Sequence, residues 1–112
     1  MRKLALLLFA LTLPSFAQAA HSVSLTCTDA DLSVTGYHFF RSSTSGNLTP
    51  SEITLGAVPT CAFVDTLVSA GQTWYYTAKA NNLAGDLSNA SNEFKAILPP
   101  KPVPPVLTGT VN

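Results

Sequence analysis

The sequence predicts an all-β, antiparallel sandwich. Two observations carry this expectation. Beyond residue 20, apolar residues alternate with polar ones at the two-residue period of a half-buried strand, and almost nowhere at a helical period. Clusters of Gly, Ser, Asn, Asp and Thr separate these segments at short intervals, leaving no room for helices between strands.

Taken in order, the chain opens with MRKLALLLFALTLPSFAQAA. Arg2 and Lys3 precede an apolar run from Leu4 to Leu13, which Pro14 and Ser15 break. Ala17 and Ala19 then supply the small residues that a signal peptidase reads. Ten apolar residues would span only about 15 Å as a helix, half of a bilayer core. Residues 1–19 therefore read as a secretory signal peptide, and the protein is expected to be secreted, periplasmic or displayed at the cell surface. Loss of Arg2 and Lys3 leaves four basic against six acidic residues, a net charge of about −2. Such a chain has no electrostatic case for binding nucleic acid or anionic lipid, and no later segment suits a membrane span.

The next segment, SVSLTCT, places Val23, Leu25 and Cys27 on one strand face and serine and threonines on the other. GYHFFRS puts Tyr37, Phe39 and Arg41 inward, with His38 and Phe40 outward. SEITLGAV is a weaker strand with Ile53 and Leu55 on one face. TCAFVD aligns Cys61 and Phe63, and Asp65 reads as a turn residue after it. TWYYTAKAN aligns Trp74, Tyr76, Ala78 and Ala80, leaving Tyr75 outward. SNEFKAIL aligns Phe94, Ala96 and Leu98. The inward aromatics, Phe94 included, are expected in the core. No acidic residue is expected to face inward.

The ordered set of Gly36-Tyr37 opening a strand, Ala70-Gly71 turning into an aromatic strand, Ala84-Gly85 at a hairpin tip and Ser91-Asn92-Glu93 leading into the last strand resembles a fibronectin type III domain of the bacterial extracellular kind. The resemblance runs from about His21 to Pro100. It implies an immunoglobulin-like sandwich with strands A, B and E in one sheet and C, C′, F and G in the other, over a domain of residues 20–98. Three positions depart from the family pattern. Cys27 stands where a buried strand-B tryptophan is usual. Trp74 stands where the strand-F corner tyrosine is usual. Strand A is missing, because the mature chain would begin at strand B.

Two cysteines in an exported chain favour a disulfide, and the resemblance makes their strands, B and E, neighbours. Replacing a buried tryptophan by a small side chain costs roughly 3–5 kcal/mol. A Cys27–Cys61 bridge would contribute about 3–4 kcal/mol through the unfolded chain. The bridge is thus expected to replace the tryptophan as the core staple; two buried free thiols are the alternative.

Site chemistry is sparse. His21 falls at the mature N-terminus and His38 points to solvent, neither in metal-ligand spacing with cysteines or carboxylates. Asp29 and Asp31 bracket Ala30 in a loop too poor in oxygens for calcium, and read as turn residues like Asp86. There is no Gly-x-Ser-x-Gly elbow and no phosphate-binding glycine loop. No catalytic residue, metal or cofactor is expected, and the chain reads as a non-enzyme. The best surface candidate is a patch of Phe40 and Tyr75 on adjacent strands, with the loops SSTSGNLTPS and NNLAGDLSN as the alternative contact. The resulting expectation is a spacer or adhesion module, or a small independent binding protein, contacting a protein or polysaccharide.

Residues 99–105 hold five prolines and read as a stiff linker. Residues 106–112 then resemble strand A of a following domain. The first reading is that the chain is a piece of a longer array; a disordered leftover comes second, and filling an empty strand-A position last, more easily by strand exchange with a second copy than within one chain.

Overall fold

The computed structural model describes residues 20–112; residues 1–19, where a signal peptide is expected, lie outside the described residues. Six strands form, β1 (Val23–Thr26), β2 (Val34–Ser42), β3 (Ser51–Glu52), β4 (Ala62–Asp65), β5 (Thr73–Asn82) and β6 (Phe94–Ile97), with no helix among the described residues. β1 and β4 pair as one antiparallel sheet. The second sheet runs β3-β2-β5-β6, also antiparallel throughout. This is an all-β arrangement consistent with a β-sandwich. No described strand occupies the far side of β1.

The two sheets meet through residues that the alternation places inward. Phe39 of β2 stacks on Phe63 of β4 with ring centroids 5.8 Å apart. Val23, Leu25, Phe39, Val68, Tyr76, Ala96 and Leu98 form the buried core, with Trp74, Tyr37 and the two cysteines packed around it. Full burial of one such large apolar side chain stabilises by about 1.5–3 kcal/mol.

The register of β1 on β4 sets Leu25 opposite Phe63 and Thr26 opposite Ala62. One step further, Cys27 donates its N–H to the Cys61 carbonyl at 2.9 Å, so the two cysteines face each other directly. They form a disulfide with a Cα separation of 5.2 Å, within the range a bridge needs.

The turns follow their residues. Gly71 has φ +79°, a left-handed value that its neighbours could not adopt cheaply, and Gln72 N–H closes this turn on the Ser69 carbonyl. The Ala84-Gly85 tip is closed by Gly85 N–H on the Asn82 carbonyl. Where β2 bulges between Val34 and Gly36, a Cβ on Gly36 would lie 2.8 Å from Asn81 Oδ1 and 2.9 Å from Ala57 Cβ. Only glycine fits there.

Two expectations fail here. Leu55 does not face inward; it is fully exposed. The chain leaves the sheet after Ile53, whose N–H still bonds the Phe39 carbonyl, and returns at Val58, which exchanges two hydrogen bonds with Tyr37. Val58 takes the packing position that the period assigned to Leu55, and Thr54 is buried instead. Phe94 is not a core residue either. It shares a face with buried Ala96 and Leu98 but is 51% exposed, because no element among the described residues covers that end of the slot between β1 and β6.

Candidate functional site

The outer face of the four-stranded sheet carries the residues that the alternation turns away from the core. Phe40 on β2 lies opposite Thr77 on β5, and Ser42 lies opposite Tyr75, so Phe40 and Tyr75 occupy adjacent rungs of one face. Neither ring is bare. Lys79 Nζ sits 5.5 Å from the Phe40 ring centroid, and Lys95 Nζ sits 6.0 Å from that of Tyr75. Each aromatic is half-buried under a cation that its ring attracts.

Two loops rise beside Phe40. The first, residues 43–50, is folded around Asn47. Its Oδ1 accepts from Thr49 N–H at 2.9 Å, and its Nδ2 donates to Ser42 Oγ at 2.9 Å. Glu93 holds the same loop from across the sheet, accepting from Ser45 Oγ at 2.6 Å and from Gly46 N–H at 2.8 Å. These two hydrogen bonds, the hydroxyl of Ser45 first, keep the Glu93 carboxyl below its usual range.

The second wall is the strand-free stretch before β6. Ala80 and Ala78 would lack ladder partners there. Their N–H groups donate instead to the hydroxyls of Ser88 and Ser91, at 2.9 Å each. Ser88 and Ser91 in turn donate their own N–H groups to the Ala80 and Ala78 carbonyls, so side chain and backbone together stand in for a strand. At the tip, Asp86 N–H bonds Asn82 Oδ1 at 2.9 Å.

Between these walls lies a groove of about 410 Å³, floored by Phe40, Thr77 and Lys79 and walled by residues 47–50 and 88–90. Leu48 stands at its lip, 95% exposed. Its chemistry is one aromatic ring, one cation, hydroxyls and carboxamides, with no carboxylate, imidazole or thiol in its lining. Such a surface can stack on an apolar face and hydrogen-bond a polar rim. The sequence singles out Phe40 and, as an alternative, the two loops, but does not bring them together; the Glu93 contact that ties them spans 48 residues of chain and carries no local signature. Tyr75 lies outside the groove.

His38 is not the isolated solvent-facing residue expected. Its Nδ1 lies 2.6 Å from Glu52 Oε2, and its side chain is only 18% exposed. Thr54 Oγ1 donates to the same oxygen at 2.7 Å. The hydrogen bond from His38 holds the Glu52 carboxyl below its usual value, with Thr54 helping and partial burial opposing.

The larger correction is Asp65. It is 3% exposed and inward, on the same face of β4 as Phe63 and opposite Val23. Arg41 Nη1 donates to its Oδ2 at 2.8 Å and to the Leu67 carbonyl at 3.0 Å. The Tyr76 hydroxyl donates to Oδ2 at 2.8 Å, and Leu67 N–H to Oδ1 at 3.0 Å. Trp74 covers the guanidinium, 4.1 Å from its ring centroid. Burial first, and the Asp65 carboxylate second, push the Tyr76 phenol well above its usual value. Trp74 therefore does more than fill core volume: it lids a buried ion pair. The sequence held the signal, since Arg41 on an inward face needs an anion and Asp65 continues the Cys61, Phe63 alternation.

The remaining residues singled out from the sequence are local. Asp29 Oδ1 accepts from Asp31 N–H, and Asp31 Oδ1 from Ser33 N–H and Oγ, the turn chemistry expected of them. The hydrogen bonds from Ser33 lower the Asp31 carboxyl. His21 is exposed beside the start of β1. Among the described residues no cluster of three or more His, Cys, Asp or Glu could hold a metal, and no helix is long and apolar enough to cross a membrane. No protein-family model matches the chain, and no curated protein matches it.

Proposed function

We propose that this protein is an exported, non-catalytic module of the fibronectin type III kind that works by adhesion or spacing, with the Phe40 groove as its contact surface. The observation that carries this reading is the convergence of one half-exposed aromatic and two mutually tied loops on a single groove of about 410 Å³. The family reading is supported by the division of strands between the sheets and by the Ala70-Gly71 and Ala84-Gly85 turns. Export is supported by the leader-like sequence of residues 1–19 and by the Cys27–Cys61 bridge, which persists in oxidising compartments.

A surface that offers an aromatic stacking face beside hydroxyls, carboxamides and a lysine suits a polysaccharide, whose sugar rings present apolar faces and hydroxyl edges. The test is retention on insoluble polysaccharides, with cellulose, chitin and purified peptidoglycan as the probes. Retention on one of them that Phe40→Ala and Leu48→Ala abolish, with unchanged unfolding midpoints, supports the reading. Tyr75→Ala then reports whether the contact extends along the sheet. Failure to bind all three polymers overturns the polysaccharide assignment.

A further inference from the structure

We propose that residues 106–112 of one copy add a strand to the free edge of β1 in a second copy, closing the slot between β1 and β6. This inference is independent of the groove.

The acceptor is visible in β1. Its only described neighbour is β4. Cys27 N–H points to β4, where it meets the Cys61 carbonyl; by the alternation of an antiparallel ladder, Ser24 and Thr26 aim their N–H and C=O groups to the open side. Unpaired edges of this kind are templates for another strand. Beside the edge, an open slot of about 320 Å³ runs between residues 21–24 and residues 94–99. Phe94 flanks it from an inward-facing position while 51% exposed, against 8% for Ala96 and 4% for Leu98 on the same face. The slot lacks one layer of apolar side chains at that place.

The donor is in the same chain. Val106, Leu107 and Val111 are 91%, 93% and 99% exposed. In an extended conformation Leu107, Gly109 and Val111 share one face, and Val106, Thr108 and Thr110 the other. An apolar face can then cover Phe94 while the threonines face water. Valine and threonine also favour strands.

The linker decides that the acceptor is a second copy. From Leu98 to Pro105 every residue is either a proline or directly precedes one. Proline fixes φ, and a residue before proline is driven to extended backbone. No position in this stretch can readily supply the reversal that a return to its own slot demands. The start of the stretch is anchored, since Leu98 N–H bonds the Gln72 carbonyl at 2.8 Å and Gly71 N–H bonds the Pro99 carbonyl at 2.9 Å. The chain's own slot lies immediately beside that anchor, against His21 and Pro99. Residues 99–105, as a polyproline rod, instead carry the donor about 22 Å away from it. The contact is heterologous, tail to edge, so copies join in series unless the geometry closes a ring.

The test uses protein produced from the full sequence and a variant lacking residues 106–112. The full chain is expected to associate with rising concentration in sedimentation velocity, and the variant to stay monomeric. Amide exchange at Ser24 and Thr26 is expected to be slower by about tenfold or more in the associated chain than in the variant, with Leu25 alike in both. A synthetic peptide of residues 106–112 restores that protection to the variant, and the same peptide with Leu107→Asp and Val111→Asp does not. A full chain that is monomeric throughout overturns the proposal, whether Ser24 and Thr26 are unprotected or are protected within one chain. Association that survives the deletion overturns it too.

Discussion

The Arg41 guanidinium on β2 and the Asp65 carboxylate on β4 meet at 2.8 Å between the two sheets, with Asp65 3% exposed. A charge this well buried is tolerated only because Arg41, Tyr76 and the Leu67 N–H all bond it. Asp65→Ala leaves the guanidinium unpaired and is expected to cost about 3–5 kcal/mol in urea unfolding. Replacing the whole network, with Arg41→Met, Asp65→Leu and Tyr76→Phe together, is expected to recover most of that loss. A triple variant no more stable than Asp65→Ala would show that the lost packing, and not the stranded charge, sets the cost.

Glu52 gives the fold an acid-sensitive contact. Its folded-state pKa lies below its usual 4.5, chiefly through the hydrogen bond from His38. The stability from this contact is therefore complete above the unfolded value and is lost as pH falls through the folded one. An NMR titration is expected to find Glu52 below 4.5, and His38→Phe to move it up toward that value. A Glu52 titration unaffected by His38→Phe would assign the shift elsewhere.

The disulfide spans 34 residues of sequence between directly opposed positions. Reduction is expected to remove about 3–4 kcal/mol, read as a lower urea midpoint, and Cys27→Ala with Cys61→Ala to match the reduced protein. An unchanged midpoint would mean that the packing around Leu25 and Phe63 holds these strands without the bridge.

Much of this fold is legible in the sequence because period-two alternation assigns faces residue by residue. Val23, Leu25, Phe39, Tyr76, Ala96 and Leu98 all lie where it puts them. The failures share a cause. Leu55 obeys the pattern of a strand that the backbone leaves after Ile53, and nothing local marks the departure. Phe94 obeys its pattern too, yet burial needs a covering element, which alternation on one strand cannot supply. Asp65 was legible, but only by pairing it with Arg41, 24 residues away. At the candidate site, Phe40 and the two loops follow from exposure and composition, whereas the Glu93 contact joining the loops is a tertiary fact.

Glu93 holds Ser45 and Gly46 from a position outside the groove it helps to shape. Folding has therefore already met the entropy of ordering the 43–50 loop, and a ligand of the proposed groove would have less of it to supply. Under the proposed binding role, residue 93 would be a tuning point for affinity. Its loss would loosen one wall and weaken binding without removing a single atom that touches the ligand.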